Sequence, residues 1–243
     1  MKKLYHTFLS KEVPYVETTS ETAELIKYAS NAFLGLKVSY INQMADLCEK
    51  SNGNVRELAK AVGLDHRIGR EFLNPGPGFG GSCFPKDLQE LSLYAKELEL
   101  PLTLIDKVLE FNNLRPQKML KMIRTAFEGN LKGKTLAILG LTFKANTDDL
   151  RDSPSLNIIN QLYDLDAKLQ VYDPKWMESA KKILPKISFV KSPYQAMKNA
   201  DGLVILTEWR EFKNLDFQHV KQLLKAPLVI DLRNIFSLNE MKL

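Results

Sequence analysis

Cysteine and histidine are scarce in this sequence: two and three residues among 243. Cys48 and Cys83 sit in unrelated contexts without C-x-x-C spacing, and His6, His66 and His219 are scattered. Neither a disulfide framework nor a zinc site is therefore expected. Long apolar runs are missing too. No stretch approaches the roughly 20 residues that a membrane-spanning helix requires, and residues 1–17 lack the apolar centre of a signal peptide. The expectation is a cytoplasmic protein with no membrane partner. Charge of one sign is also absent as a block: 34 Lys and Arg are interspersed with 29 Asp and Glu, for a net charge of +5. That argues against a nucleic-acid stripe and leaves room for a small phosphorylated ligand. A 44% hydrophobic and 26% charged composition belongs to an ordinary globular chain of one or two domains.

The first half of the chain reads as helical. Thr18 with Glu21 forms a capping box, and Leu25, Tyr28, Ala29, Leu36, Val38, Ile41, Met44, Leu47 and Cys48 hold helical spacing as far as Asn52–Gly53. Thirty residues of helix would be roughly 45 Å long, more than a small domain can cover, so a second copy of the chain is expected along residues 18–51. A short helix runs from Asn54 to Gly63. After the irregular run from Asn74 to Gly81, Pro85 opens another, and residues 85–97, 102–113 and 116–128 read as three helices broken at Leu100–Pro101 and Arg115–Pro116.

Past Gly129–Asn130 the period changes. Short apolar runs at 135–139, 169–172, 187–190, 203–206 and 228–232 alternate with helical segments. Unalternating apolar strands of this kind imply a parallel sheet covered on both faces. The fold class is therefore α/β: a helical region (18–130) with one long helix, then a small doubly wound, Rossmann-like domain (131–243). Its first strand is followed by Gly140 alone, not G-x-G-x-x-G, and nothing else in the chain is expected to supply the pyrophosphate turn.

Residues 76–87, GPGFGGSCFPKD, carry the clearest chemical signal. Glycines at this density allow close backbone approach to a ligand, with amides free to face phosphate or sugar oxygens. Cys83, two residues before Pro85, falls at the positive end of a helix and near Lys86, a setting that favours a nucleophilic thiolate. The competing reading is a small buried cysteine beside a turn. Lys27 and Asn31 share a face of the long helix, where Lys27 is either catalytic or an interface-edge charge. Asp87 is either functional or a first-turn acid favoured by the helix dipole. Lys144 and Arg151 follow the first strand and Arg233 the last, at the sheet edge where α/β domains bind ligands; Arg67 has the alternative of a solvated charge.

Three runs in order, TAELIKYASNAFL, GPGFGGSCFPKD and GLTFKANTDDLRDSPS, resemble the UDP-glucose dehydrogenase family from about Tyr5 to Phe236. The resemblance implies a central dimerisation region, a UDP-binding α/β domain, UDP-glucose as substrate and NAD as cofactor. It also implies roles: Cys83 as nucleophile, Lys27 and Asn31 stabilising oxyanions near the sugar C6, and Asp87 positioning or activating water. By the same resemblance Phe72, Leu73, Phe79, Gly80, Gly81, Phe143, Lys144 and Arg233 line the UDP-sugar pocket. Arg67 would reach a neighbouring subunit's ligand, and Arg151 would touch the cofactor. Asn74 stands where some members have lysine. Relatives acting on UDP-N-acetylmannosamine tend to have histidine where this chain has Ser82, and the form around Cys83 looks most like the UDP-glucose branch. Family members begin with an NAD-binding domain, and residues 1–17 resemble its end. Three readings follow: a dehydrogenase part that needs that domain, a UDP-sugar-binding or dimerising remnant, or an unrelated cysteine hydrolase. A dehydrogenase of another nucleotide sugar is a variant of the first.

Overall fold

The computed structural model describes residues 14–175, 177–237 and 239–242. Most of the segment expected to close a preceding unit, residues 1–17, lies outside them.

The long helix, α1 (Ser20–Ser51), has 32 residues and is about 48 Å long. Its cap is Thr19, one residue later than expected, because the Thr19 hydroxyl and not that of Thr18 accepts the Thr22 amide at 3.3 Å. The helix ends where expected, at Asn52 in the left-handed region (φ 56°). Helix α2 (Val55–Val62) is capped by Asn54, whose side chain accepts from the Arg56 and Glu57 amides. Helices α3 (Phe84–Glu97) and α4 (Thr103–Ala126) complete the helical half.

Helix α4 corrects an expectation. It runs unbroken through Arg115–Pro116, which the local bias at the residue before proline would have split in two. Tertiary contacts outweigh that bias. Arg115 is buried, its Nε donates to the Gly76 carbonyl at 3.1 Å, and its Nη1 is paired with Asp46 on α1. Only the helical backbone at this point brings the guanidinium to both partners, while Met119 and Ile123, one and two turns on, sink into the core of the second half.

That second half is a five-stranded parallel sheet in the order β3-β2-β1-β4-β5. The strands are β1 (Thr135–Leu139), β2 (Lys168–Tyr172), β3 (Ser188–Phe189), β4 (Gly202–Ile205) and β5 (Val229–Asp231), close to the expected runs. Helices α5 (Pro154–Asp164), α6 (Met177–Ile183), α7 (Pro193–Met197), α8 (Arg210–Lys213) and α9 (Phe217–Leu223) connect them. Alternation within β1 sorts the two faces. Leu136 and Ile138 join Ile158, Ile159 and the end of α4, whereas Ala137 and Leu139 join Met197, Phe212 and Val220. Because α4 is part of the first cluster, the helical and sheet halves share apolar burial. No described helix is long and apolar enough to cross a membrane.

The Arg115–Asp46 pair gives a stability test. Removing one partner of a buried pair leaves the other charge uncompensated, at a cost of about 3–5 kcal/mol. Lys118 also contacts Asp46, and the Asp46 side chain is 21% exposed, so the low end of that range applies. Asp46→Ala is expected to lower unfolding stability by about 3 kcal/mol in urea titration; a loss below about 1 kcal/mol would show that water already screens the pair.

Candidate active site

The glycine-rich loop between α2 and α3 is held from three sides. The Gly76 amide donates to Asn42 Oδ1 of α1 at 2.7 Å. Asn112 of α4 exchanges two bonds with Phe79, accepting from its amide at 2.8 Å and donating to its carbonyl at 3.0 Å. The Gly81 amide donates to the Arg151 carbonyl at 2.9 Å. These amides are therefore taken by protein groups and do not face a ligand, contrary to the expectation for Gly76, Phe79 and Gly81. Gly80 passes so close to the sheet half that an added Cβ would lie 2.2 Å from the Asp152 carbonyl oxygen.

The loop delivers Cys83 to the N-cap of α3, exposed, with Sγ 3.6 Å from the Ser82 hydroxyl. One turn on, Asp87 is buried at 2% exposure. Its carboxylate accepts from Asn31 Nδ2 at 2.6 Å and pairs with Lys27 Nζ at 3.2 Å. The Asp87 hydrogen bond and charge raise the Lys27 pKa above its ordinary value, so the ammonium stays charged at neutral pH. Lys86, three residues after Cys83, pairs with Glu90 one turn along α3 at 3.5 Å. Lys27 and Arg151 both lie within electrostatic reach of Cys83.

Opposite stand Phe143 and Lys144, after β1, and Arg233, after β5. The Phe143 ring lies over Gly81, and Lys144 Nζ is 5.3 Å from the ring centroid. Arg233 donates from Nε to the Leu206 carbonyl at 2.8 Å and from Nη2 to the Phe143 carbonyl at 2.7 Å. Glu208 Oε2 is 3.2 Å from Arg233 Nε, a charge contact without hydrogen-bond geometry. Burial pulls the Arg233 pKa below its usual value. Between these walls lies a cavity of about 560 Å³, faced by Asn31, Phe72, Cys83, Phe143, Lys144 and Arg233 and floored by the glycine loop.

Residues 21–114 match the UDP-glucose/GDP-mannose dehydrogenase family, central domain, and residues 137–238 the UDP binding domain of the same family. The UDP-glucose 6-dehydrogenase of Rhizobium meliloti (strain 1021) is 45% identical over 240 residues, 99% of this chain and 55% of that protein. The enzyme of the same name from Rickettsia prowazekii (strain Madrid E) is 46% identical over 244 residues, 100% of this chain and 56% of that protein. A solved UDP-glucose dehydrogenase from Pyrobaculum islandicum superposes with a TM-score of 0.89 at 32% identity, covering 98% of this chain and 54% of that one. The chain belongs to the UDP-glucose/GDP-mannose dehydrogenase family. It spans about half the length of the curated relatives it matches.

Of the residues singled out on this family's pattern, Asn31, Phe72, Phe79, Gly80, Gly81, Cys83, Phe143, Lys144 and Arg233 meet at one cavity. Lys27 and Asp87 stand behind Asn31, in contact with it through the Asp87 carboxylate. Leu73 does not face this cavity. It is buried with Ile41, Ala45 and Val55, just after a left-handed turn at Phe72 (φ 63°). Arg67 and Arg151 are exposed and chelated by Asp65 and Asp149, each two residues away. Asn42, Asn112 and Arg115, which position the loop, were not singled out. Asn42 carried a readable signal as a polar residue between Ile41 and Ala45 on the apolar face of α1.

The family's cofactor finds no fit at the first strand. Gly140 is packed against Thr207, and the Leu141 and Thr142 amides, where a pyrophosphate would bind, donate to the buried Asp173 carboxylate at 2.7 and 3.4 Å. The letters G-x-G-x-x-G do occur at Gly76–Gly81, contrary to expectation. They follow Pro75 instead of a strand, and the amides of Gly76, Phe79 and Gly81 are occupied as described.

Gly80→Ala tests the loop seat. A Cβ at 2.2 Å from a carbonyl oxygen forces the backbones apart, and such overpacking costs about 3 kcal/mol or more. The melting temperature is expected to fall and UDP binding, followed by calorimetry, to be lost. Unchanged binding would mean that the cavity tolerates separation of its floor from the sheet half.

Proposed function

We propose that this chain supplies the substrate-binding, thiol-bearing part of a UDP-glucose 6-dehydrogenase, which oxidises UDP-glucose to UDP-glucuronate. The convergence of Cys83 with the Lys27–Asn31–Asp87 cluster, across one cavity from Lys144 and Arg233, carries this reading. In it, residues 18–130 are the central dimerisation domain and 131–243 the UDP-binding domain. Lys144 and Arg233 meet the diphosphate, and the apolar faces of Phe72, Phe79 and Phe143 take the remainder of the ligand.

NAD, when bound, would accept the two hydrides; the described residues offer it no turn after β1. The steps given to this chain are capture and release. The Cys83 thiolate adds to the C6 aldehyde carbon, a C–S bond forms, and the carbonyl π pair moves to oxygen, which holds the aldehyde as a thiohemiacetal. Lys27 and Asn31 each have N–H groups beyond those facing Asp87, and these donate to that oxygen. At the thioester stage water attacks the acyl carbon, the C–S bond breaks and Sγ leaves as thiolate, with Asp87 orienting the water. Arg67 and Arg151, exposed and outside the chain's own cavity, are assigned to a neighbouring subunit's ligand and to the cofactor.

A second reading, a chain that binds UDP-sugar without turning it over, is favoured by the occupied β1 turn. Mixing the chain with a relative's separately expressed NAD-binding domain separates the two. UDP-glucose-dependent NADH is expected. Cys83→Ala should abolish it with UDP affinity kept within about twofold, and Lys27→Ala should slow it by on the order of a hundredfold. UDP binding without NADH favours the second reading, and absence of both sinks the two together. Turnover of another nucleotide sugar alone would change the substrate.

The partner in this reading is a second copy. Ile26, Phe33, Tyr40 and Leu47 recur every seventh residue on α1 and are 47, 61, 46 and 58% exposed, an apolar seam nothing in the chain covers among the described residues. Phe33→Glu is expected to shift the sedimenting species from dimer towards monomer. A wild-type monomer at micromolar concentration would refute the assignment.

A further inference from the structure

A second cavity, of about 360 Å³, lies on the far side of the wall made by Asn74 and Arg233. Its volume falls within the range of small-ligand sites. Its lining is strongly cationic: Arg56 and Lys60 on α2, Arg70 in the loop after it, Lys213 at the end of α8, and Arg233. Glu208 is the one carboxylate in the lining, and it is already engaged by the Ala145 amide at 3.2 Å and by Arg233. Arg56 faces the charge of Glu240. The side-chain nitrogens of Lys60, Arg70 and Lys213 have neither a hydrogen bond nor an ion pair to any described residue.

Three uncompensated cations around one concavity repel one another and raise the local potential, which an anion relieves. The arrangement discriminates among anions. A carboxylate or single phosphate would match one or two of the cations, whereas a chain of phosphates would offer charge to cations on both sides of the cavity at once. A concavity of about 360 Å³ suits a small anion better than a nucleic-acid strand.

We propose that this cavity binds a polyphosphate group, from a free polyphosphate or the phosphate end of a nucleotide, at a site separate from the UDP-sugar cavity. The ligand would bridge the helical half, through Lys60 and Arg70, to the sheet half, through Lys213. Those two halves wall the candidate active site, and Arg233 belongs to both cavities. Occupancy would therefore stiffen the seam beside the substrate.

The test is calorimetric titration of the full chain with inorganic tripolyphosphate, alone and with saturating UDP. One binding event in both conditions is expected, weakened at least about tenfold by K60A/R70A/K213A. Lys213→Ala alone should weaken it in the same direction, which guards against a triple variant that fails to fold. UDP affinity should move by less than about twofold in either variant. No binding to the wild-type chain, wild-type affinity in the variants, or complete displacement by UDP would overturn the proposal. Displacement would assign the cations to the substrate's own diphosphate. A chain that binds tripolyphosphate but not UDP would sink the dehydrogenase reading and leave this one standing.

Discussion

The loop from Gly76 to Ser82 can thread between two packed halves only because so little of it projects. At Gly80 the approach to the Asp152 carbonyl admits no Cβ, and at Gly81 the backbone lies under the Phe143 ring. Gly78, at φ 119°, sits under Asn112 in a conformation that side chains rarely adopt. With the loop seated, the rest is constrained. Cys83 emerges at the start of α3, Asp87 points back at α1, and the residues after β1 and β5 close the opposite wall.

Three polar side chains make that seat specific where apolar packing alone would not. Asn42, Asn112 and Arg115 reach the loop backbone from α1 and α4, and each satisfies a main-chain group that would otherwise be buried without a partner. Arg115 also ties α4 to α1 through Asp46, so the scaffold and the loop share one guanidinium. This explains a helix that tolerates Pro116: its geometry is set by what its side chains must reach.

Periodicity made most of the elements legible in the sequence, since a period of 3.6 or an unbroken apolar run depends on neighbours close in the chain. What it missed depended on the exact path of the chain and, at the site, on distant partners. Thr18 and Thr19 are equivalent as letters, and only the path of the chain into α1 selects the second. Leu73 belongs to the core of α1 and α2 because a left-handed turn at Phe72 redirects the chain. The chemistry of Cys83, Lys27, Asn31 and Asp87 could be named from residue type and resemblance, but the direct Asn31–Asp87 contact joins positions 56 residues apart.

The Asp173 carboxylate, with a pKa raised by burial, receives the Leu141 and Thr142 amides and the Trp209 indole N–H. A sheet of this topology ordinarily leaves such donors for a visiting phosphate; here the protein brings its own anion and encloses it. The turn after β1 is thus complete without a visitor, and ligand arrival elsewhere entails no ordering entropy at this corner. It serves as a fixed abutment against which Phe143 and Lys144 are set before any ligand arrives.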